Sequence, residues 1–249
     1  MSEILKDRVM ILRTFDFGET SVVAVALTRE HGKLRIIAKG ARRPRSPFGA
    51  MLRTGSIGDI VFYHREERGL QLLKEFSSDE SGGIVTEDFV KLCLFQAGLE
   101  LIDTAIVGRE SDTATFDILE AFKTGLFASQ APWYIFFTLE VGLLKALGVL
   151  PPFEVCAGCG RALAQGCSAD PVGGLVTCAR CAGEAADPLS ACSRATILAM
   201  ENEPFDPGAA VEPGPRERKE IGQLLHHLFL HHVEGYRLPN ALHLLKGVN

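Results

Sequence analysis

The sequence predicts an α+β chain: a small N-terminal β-barrel, then an all-α bundle with an inserted four-cysteine zinc module. Three observations carry this reading. Up to about residue 78 the chain runs in five short stretches rich in strand-forming residues, parted by turn residues. After Ser77–Gly83 the apolar period lengthens to about 3.6 residues, that of a helix. Two Cys-x-x-Cys pairs then interrupt the helical part.

The strands are Val9–Thr14, Ser21–Thr28, Lys33–Lys39, Ile57–His64 and Leu70–Phe76. Asp16-Phe17-Gly18, His31-Gly32, Gly40-Ala41 and Glu66–Gly69 separate them with residues that favour turns. A short apolar segment, Phe48–Leu52, lies between the third strand and the fourth, which matches the plan of an OB-fold barrel. Other small barrels share this count of strands. In Thr86–Asp103 the residues Phe89, Leu92, Cys93, Gln96, Leu99 and Ile102 form one helical stripe, with Thr86 as N-cap. Asp112 caps a second helix to about Phe127, and Pro132 opens a third that ends near Leu147-Gly148. Two more helices, Ser193–Glu201 and Pro215–Tyr236, flank the linker Pro204–Pro215. The division expected is 1–80 for the barrel as nucleic-acid-binding domain, 81–150 with 187–249 for the helices, and 151–186 for the zinc module.

Composition excludes several classes. With 47% hydrophobic and 23% charged residues the chain is globular rather than disordered. Lys6, Asp7 and Arg8 interrupt the N-terminus before any apolar stretch develops, so no signal peptide is expected. Trp133 to Leu150 contains Glu140 and Lys145 and reads as a buried helix, not a membrane span. Seven cysteines, four of them in two pairs, suit a reducing cytoplasm and a metal better than disulfides.

Cys156-Ala157-Gly158-Cys159 and Cys178-Ala179-Arg180-Cys181 are separated by a spacer of 18 residues. Two residues between thiolates let each pair grip one tetrahedral Zn²⁺ from a tight turn, and the spacer lets both turns converge. Gly158, Gly160, Gly173 and Gly174 supply the permissive backbone. Four cysteine ligands leave no open position, so one structural zinc is expected, with four unliganded thiols as the alternative. Cys167 is a competing ligand or, like Cys93 and Cys192, a small buried hydrophobe.

Charge gives the functional clue. Residues 1–55 hold 11 Lys and Arg against 5 Asp and Glu, on a chain whose net charge is −5. Between Glu30 and Asp59 there is no acidic residue. Strand alternation puts Lys33, Arg35 and Lys39 on one face and Leu34, Ile36 and Ala38 on the other. The strand runs into a loop carrying Arg42, Arg43 and Arg45, restrained by Pro44 and Pro47. These six cations form a track for the phosphates of a polyanion. Phe15, Phe17, Phe48, Phe62 and Tyr63 are candidate stacking partners, most of them needed to fill the barrel.

No reaction is suggested. Nucleotide-binding glycine loops and nucleophile elbows are absent, and acidic residues are scattered without paired acid and base. His226, His227, His231 and His232 share one helix, and the 227/231 spacing would suit a chelate. No HExxH pattern accompanies them, since Leu228, Phe229 and Leu230 lie between, so they read as partly exposed or core-edge histidines, with a second metal site as the lesser alternative.

The string Thr28-Arg29-Glu30-His31-Gly32-Lys33, followed by Ala38-Lys39-Gly40-Ala41-Arg42-Arg43, resembles the start of the RecO family of bacterial DNA-repair proteins. So do Val9–Arg13 and Gly18-Glu19-Thr20 before it, and Glu140, Leu143-Leu144, Leu147-Gly148 and Pro151 ahead of the first cysteine pair. Gly173-Gly174 ahead of the second pair fits as well, and the likeness spans the chain. The resemblance implies an OB-fold domain, a helical bundle and a zinc module. It implies a non-enzymatic recombination mediator that binds single- and double-stranded DNA and anneals complementary strands. Implied partners are RecR, the acidic C-terminal tail of single-strand-binding protein and, indirectly, RecA, in the cytoplasm at the nucleoid. Lys123, Lys145, Arg194 and Arg237 are candidates to rim a groove for that tail. Leu244-Leu245-Lys246-Gly247 looks like a variant of the family's ending, with Gly247 for Ser, and no role is attached to it. An OB-fold and zinc-ribbon RNA-binding or translation-type factor is the rival reading, and a scaffold touching no nucleic acid a third.

Overall fold

The computed structural model describes residues 3–49, 51–79, 86–106, 108, 113–163, 165–170, 172, 174–183, 186–202, 204–206, 208 and 210–245. Asp112, Gly173, Lys246 and Gly247 lie outside these residues. Packing divides the chain into two units, Met1–Phe89 with Leu99–Glu120 and Val90–Gly98 with Ala121–Asn249. The division passes through two helices.

The first unit holds β1 (Glu3–Phe17), β2 (Ser21–Thr28), β3 (Gly32–Ala38), β4 (Ile57–His64) and β5 (Gln71–Ser78). They close into a barrel in the order β1-β2-β3-β5-β4. β3 runs parallel to β5 and all other pairs are antiparallel. β1 is far longer than Val9–Thr14, because two partners share it. Its residues 3–10 pair with β4 and 9–17 with β2, with a register shift between Ile11 and Arg13. Such an irregularity bends a strand so that it can turn a barrel corner. Val9, Ile11, Ala24, Ala26, Leu34, Ile36, Ile60, Phe62, Leu73 and Phe76 fill the interior. Ala41, Phe48, Met51 and Leu52 of the β3–β4 connection pack against the same core. The expected alternation in β3 holds: Leu34, Ile36 and Ala38 face inward, while Arg35 is exposed. The unit also contains the C-terminal part of α1 (Phe89–Ala105) and the N-terminal part of α2 (Thr113–Ala128).

The rest of those helices belongs to the second unit, with α3 (Pro132–Ala146), α4 (Ala191–Asn202), α5 (Pro215–His232) and the short α6 (Asn240–His243). Phe95, Phe122, Phe136 and Trp133 build its aromatic centre. The α1 stripe is only half right. Cys93, Leu99 and Ile102 are buried, but Phe89 and Leu92 are exposed, and Leu94, Phe95, Ala97 and Leu101 are buried instead. A helix covered on most of its circumference shows no narrow apolar stripe. Thr86 Oγ1 accepts the Asp88 amide at 3.1 Å, just ahead of the helix.

α3 ends as its sequence requires. Gly148 adopts φ +72°, its N–H bonds the Lys145 carbonyl, and Val149 N–H bonds that of Leu144. This is a Schellman motif, which needs a residue tolerant of the left-handed region. α4 is capped by Ser190 Oγ, which accepts the Ser193 amide at 3.2 Å. α5 stops at His232, four residues short of Tyr236, because Val233 turns extended. The cysteine segment holds more order than a loop: β6 (Cys167–Asp170), β7 (Leu175–Cys178) and β8 (Asp187–Leu189) form a sheet in the order β7-β6-β8. Strands of three or four residues are too short to show a period in sequence. Among the described residues, no helix is long and apolar enough to cross a membrane.

Candidate nucleic-acid interface and metal centre

The basic residues of the barrel unit fall into two groups. The first is held by carboxylates of the same unit. Arg8 Nη2 donates to Asp79 Oδ2 and Glu120 Oε1, each at 2.7 Å, and these bonds raise its pKa further above the ordinary arginine value. Arg13 Nε donates to Asp103 Oδ2 at 2.6 Å, and Arg29 lies 2.9 Å from Asp117. Lys33 Nζ donates to the Asp103 carbonyl and to its Oδ1 at 3.2 Å. That places the ammonium in the last turn of α1, where unsatisfied carbonyls and the helix dipole favour a cation. Of the six sequence-predicted phosphate contacts, Lys33 is therefore the one most fully neutralised within the unit.

The second group is open. Arg35, Lys39, Arg43 and Arg45 are exposed, and among the described residues none of them makes an ion pair. Arg42 is exposed too and lies 3.2 Å from Asp16. The loop bearing three of these cations has a fixed backbone. Arg42 N–H bonds the Thr20 carbonyl, Arg43 N–H that of Gly40, and Ser46 N–H that of Arg43. Gly40 takes φ +71° at the start, which a side chain would strain. Ala41, Phe48 and Leu52 pin the connection to the core, so the arginines stand out from a rigid base.

The string Thr28–Lys33 proves to be a hairpin clamp. Thr28 Oγ1 donates to the Gly32 carbonyl and accepts the His31 amide. Asp7, buried on β1, accepts the amides of Arg8 and Glu30 and lies 2.7 Å from His31 Nδ1. Lys33, at the end of the string, directs its charge onto Asp103. Of the aromatic candidates, Phe62 is wholly internal and Phe48 packs beneath the loop. Phe15 and Phe17 are exposed, Phe15 lying beneath the Arg13 guanidinium at 5.7 Å. Tyr63 stands half-buried on the outer wall.

In the second unit the four predicted cysteines converge. Sγ atoms of Cys156, Cys159, Cys178 and Cys181 all lie within 4.8 Å of one another, and those of Cys159 and Cys178 are 4.0 Å apart. A tetrahedral Zn²⁺ with bonds of about 2.3 Å places its sulfurs about 3.8 Å from one another, so the cage has the right size for such an ion. The turn of the first pair is built for it. Gly160 takes φ +68° and returns its N–H to the Cys156 carbonyl. A Cβ on Gly158 would fall 2.9 Å from Cys181 Cβ and 3.2 Å from its Sγ. The Cys178 amide points at Cys156 Sγ at 3.2 Å and, with the amides of Cys159 and Gly158, lowers that thiol's pKa to about 6. A thiolate held by backbone N–H groups is ready to ligate. The four can hold a metal ion and have the donor set that zinc favours.

The remaining candidates separate. Cys93 and Cys167 are buried, and burial pushes both thiols up; Cys192, expected to be buried, is exposed in the first turn of α4. Among the described residues, the four cysteines are the only group of three or more metal-ligating side chains. His227 Nδ1 lies 2.6 Å from Asp187 Oδ2 and His226 Nδ1 3.0 Å from the Tyr236 hydroxyl, while His231 and His232 are exposed. Lys145 pairs with Glu201 at 2.9 Å, Arg194 donates to the Phe153 carbonyl at 2.9 Å, and Lys123 is buried. Glu140, placed by the sequence in a buried helix, is buried in α3, and burial pushes its carboxyl up to about 8. The sequence reading passed over Arg65 and Arg68, whose neighbouring carboxylates conceal them in a charge tally.

A closed barrel of this strand order, bearing a cationic strand and loop and followed in the chain by helices and a four-cysteine cage, defines an OB-fold protein with a metal-compatible module. Comparison narrows the class. The family described as "Recombination protein O N terminal" matches residues 1–80, and "Recombination protein O C terminal" matches residues 86–241. Three relatives are named DNA repair protein RecO. That of Anaeromyxobacter sp. (strain Fw109-5) is 30% identical over 244 residues, 96% of this chain and 94% of its own length. That of Bacillus pumilus is 27% identical over 228 residues, 91% of this chain and 88% of its own length. That of Salinibacter ruber is 33% identical over 152 residues, and there the match spans only 58% of the relative. The chain belongs to the RecO family of DNA repair proteins.

Proposed function

We propose that this chain binds single- and double-stranded DNA through Arg35, Lys39, Arg42, Arg43 and Arg45, anneals complementary strands and, together with RecR, helps load RecA onto DNA coated with single-strand-binding protein. The observation that carries the reading is four exposed cations with no carboxylate partner among the described residues, set beside Arg42 on one strand and its adjoining loop. Side chains that hold phosphates without reading base edges suit annealing, because sequence is then checked by pairing between the strands. The barrel, 1–80, is the DNA-holding part. The module at 151–186 is stapled by one Zn²⁺, which supplies folding energy in a segment with few large apolar residues and takes no part in chemistry. The protein acts without catalysis in the cytoplasm at the nucleoid.

These five phosphate contacts contribute about −3.5 to the slope of log affinity against log salt for single strands. Reversing two of them in the Arg42→Glu/Arg43→Glu protein weakens binding to every sequence alike. Fluorescence anisotropy with unrelated oligonucleotides measures both, and unchanged affinity at low salt would refute the assignment.

A further inference from the structure

The outer wall of the barrel carries an apolar row that its own core does not use. Ile4 pairs with Tyr63 across β1 and β4, Tyr63 with Leu72 across β4 and β5, and Leu72 with Ile37 across β5 and β3. Partners across a ladder stand on the same face of the sheet. The chain neighbours Leu5, Phe62, Leu73 and Ile36 are the ones turned inward. The row thus crosses four adjacent strands on the outside, with Ile4 53% exposed and the other three half-buried. Ile4, Tyr63 and Leu72, joined by Leu70, floor an open groove of about 380 Å³. Single exposed apolar residues are ordinary, but a contiguous row around an aromatic ring marks a surface that meets something.

The turn beside this groove is cationic on one side and rigid. Arg65-Glu66-Glu67-Arg68 leads from β4 toward β5, and of these four only the arginines line the apolar groove. Glu66 and Glu67 line a separate hollow with them. Gln71 is 1% exposed; its Oε1 accepts the Arg65 amide at 2.8 Å, and its Nε2 donates to the carbonyls of Arg65 and Arg68 at 3.0 and 2.7 Å. Three bonds from one buried amide fix the backbone that carries both guanidinium groups. Gly69 of the same connection lines another hollow with Arg13 and Arg35, so the groove adjoins the basic face of β3. On that face Arg35 and Lys39 flank Ile37 at two residues to either side.

We propose that the groove is a stacking site for an unpaired nucleotide of a DNA strand. The base lies on Tyr63 among Ile4, Leu70 and Leu72, and the neighbouring phosphates meet Arg65 and Arg68. The inference rests on the DNA-binding reading above and extends it from phosphates to a base. An aromatic and aliphatic floor accepts the face of any base, so the site is tolerant of sequence. Arginine forks suit phosphate oxygens. Paired bases are already stacked and cannot enter, which makes this groove selective for single strands while the β3 strand and loop serve both forms of DNA.

Anisotropy of the full chain with oligothymidylate and with a blunt duplex tests it. Tyr63→Leu keeps the strand apolar but removes the ring; it lowers single-strand affinity by about 5- to 100-fold and leaves duplex affinity unchanged. Tyr63→Phe retains the wild-type affinity for both. Arg65→Gln/Arg68→Gln makes the single-strand salt slope shallower by about 1.4. A 5-iodouracil oligonucleotide crosslinks to Tyr63 in the unaltered protein, a readout independent of how variants fold. No single-strand loss in Tyr63→Leu, an equal loss on duplex, or crosslinks only elsewhere overturns the proposal. So does an acidic, apolar-ended peptide whose binding needs Tyr63 when DNA binding does not. If Arg42→Glu/Arg43→Glu binds normally while Tyr63→Leu loses single strands, the loop assignment falls and the groove stands; the reverse pattern removes the groove alone.

Discussion

Replacing Lys33 by Gln separates cations that hold the fold from those proposed to hold DNA. The Lys33 ammonium gives its hydrogen bonds to the carbonyl and carboxylate of Asp103, both side chains being about one-fifth exposed. A charge-assisted bond contributes about 1.5–3 kcal/mol when well shielded. Partial exposure, and the continued hold of Arg13 on the same carboxylate, reduce the loss to about 1–2 kcal/mol. For a chain of this size that corresponds to a fall in Tm of roughly 2–8 °C. Arg43→Gln is the control: Arg43 is exposed and its ion pairs among the described residues are nil, so Tm stays put. In DNA binding the two variants exchange roles. Arg43→Gln makes the single-strand salt slope shallower by about 0.7, one phosphate contact, whereas Lys33→Gln leaves the slope as it was. Differential scanning fluorimetry and anisotropy between about 50 and 400 mM salt give both numbers for each protein. If Lys33→Gln loses slope as Arg43→Gln does, while its Tm is unchanged, the division of the cations is wrong.

Burial gives a pH signature to Glu140. Its carboxyl stays protonated in the folded chain up to about pH 8 but ionises near its ordinary value when unfolded, so the unfolded chain binds fewer protons in between. Stability is therefore greatest below about pH 4.5 as far as this group is concerned, falls by up to about 1.4 kcal/mol per pH unit above that, and levels off above about pH 8. Glu140→Gln abolishes this component in Tm measured between about pH 5.5 and 8.5, and an unchanged slope in that variant would count against it. At the cysteine cage, Gly158→Ala drives a methyl group to within 2.9 Å of Cys181 Cβ. Atomic emission is expected to find about one zinc per wild-type chain and most of it lost from Gly158→Ala; full zinc in the variant would show that the turn is not fitted as described.

What could be read from sequence was what is local. Cysteine spacing named all four members of the cage, and alternation gave the inward and outward faces of β3 correctly. The boundaries of β2 and β4 match, because each is bounded by turn residues on both sides. What the sequence does not show is long-range. Nothing near Lys33 announces Asp103, seventy residues away in sequence, so a strand face that looks uniformly basic carries one neutralised member. β1 reads short in sequence because Lys6, Asp7 and Arg8 look like a break; yet Asp7 is buried to clamp the next hairpin, and Arg8 reaches Asp79 and Glu120. The Tyr63 groove requires knowing which strands close the barrel, since the row running through it draws one residue from each of four strands.

The make-up of the first unit bears on how such a protein is dissected. The first unit reaches past the end of β5 to take in Leu99–Glu120, and this later stretch brings Asp103, Asp117 and Glu120 to the barrel. A fragment cut at residue 80 is thus stripped of those counter-charges and exposes Arg13, Arg29 and Lys33 as fresh cations. If the barrel holds DNA as proposed, such a fragment binds more tightly and with a steeper response to salt than the whole chain. Truncation mapping would then credit the isolated barrel with charge that Asp103, Asp117 and Glu120 neutralise in the whole chain.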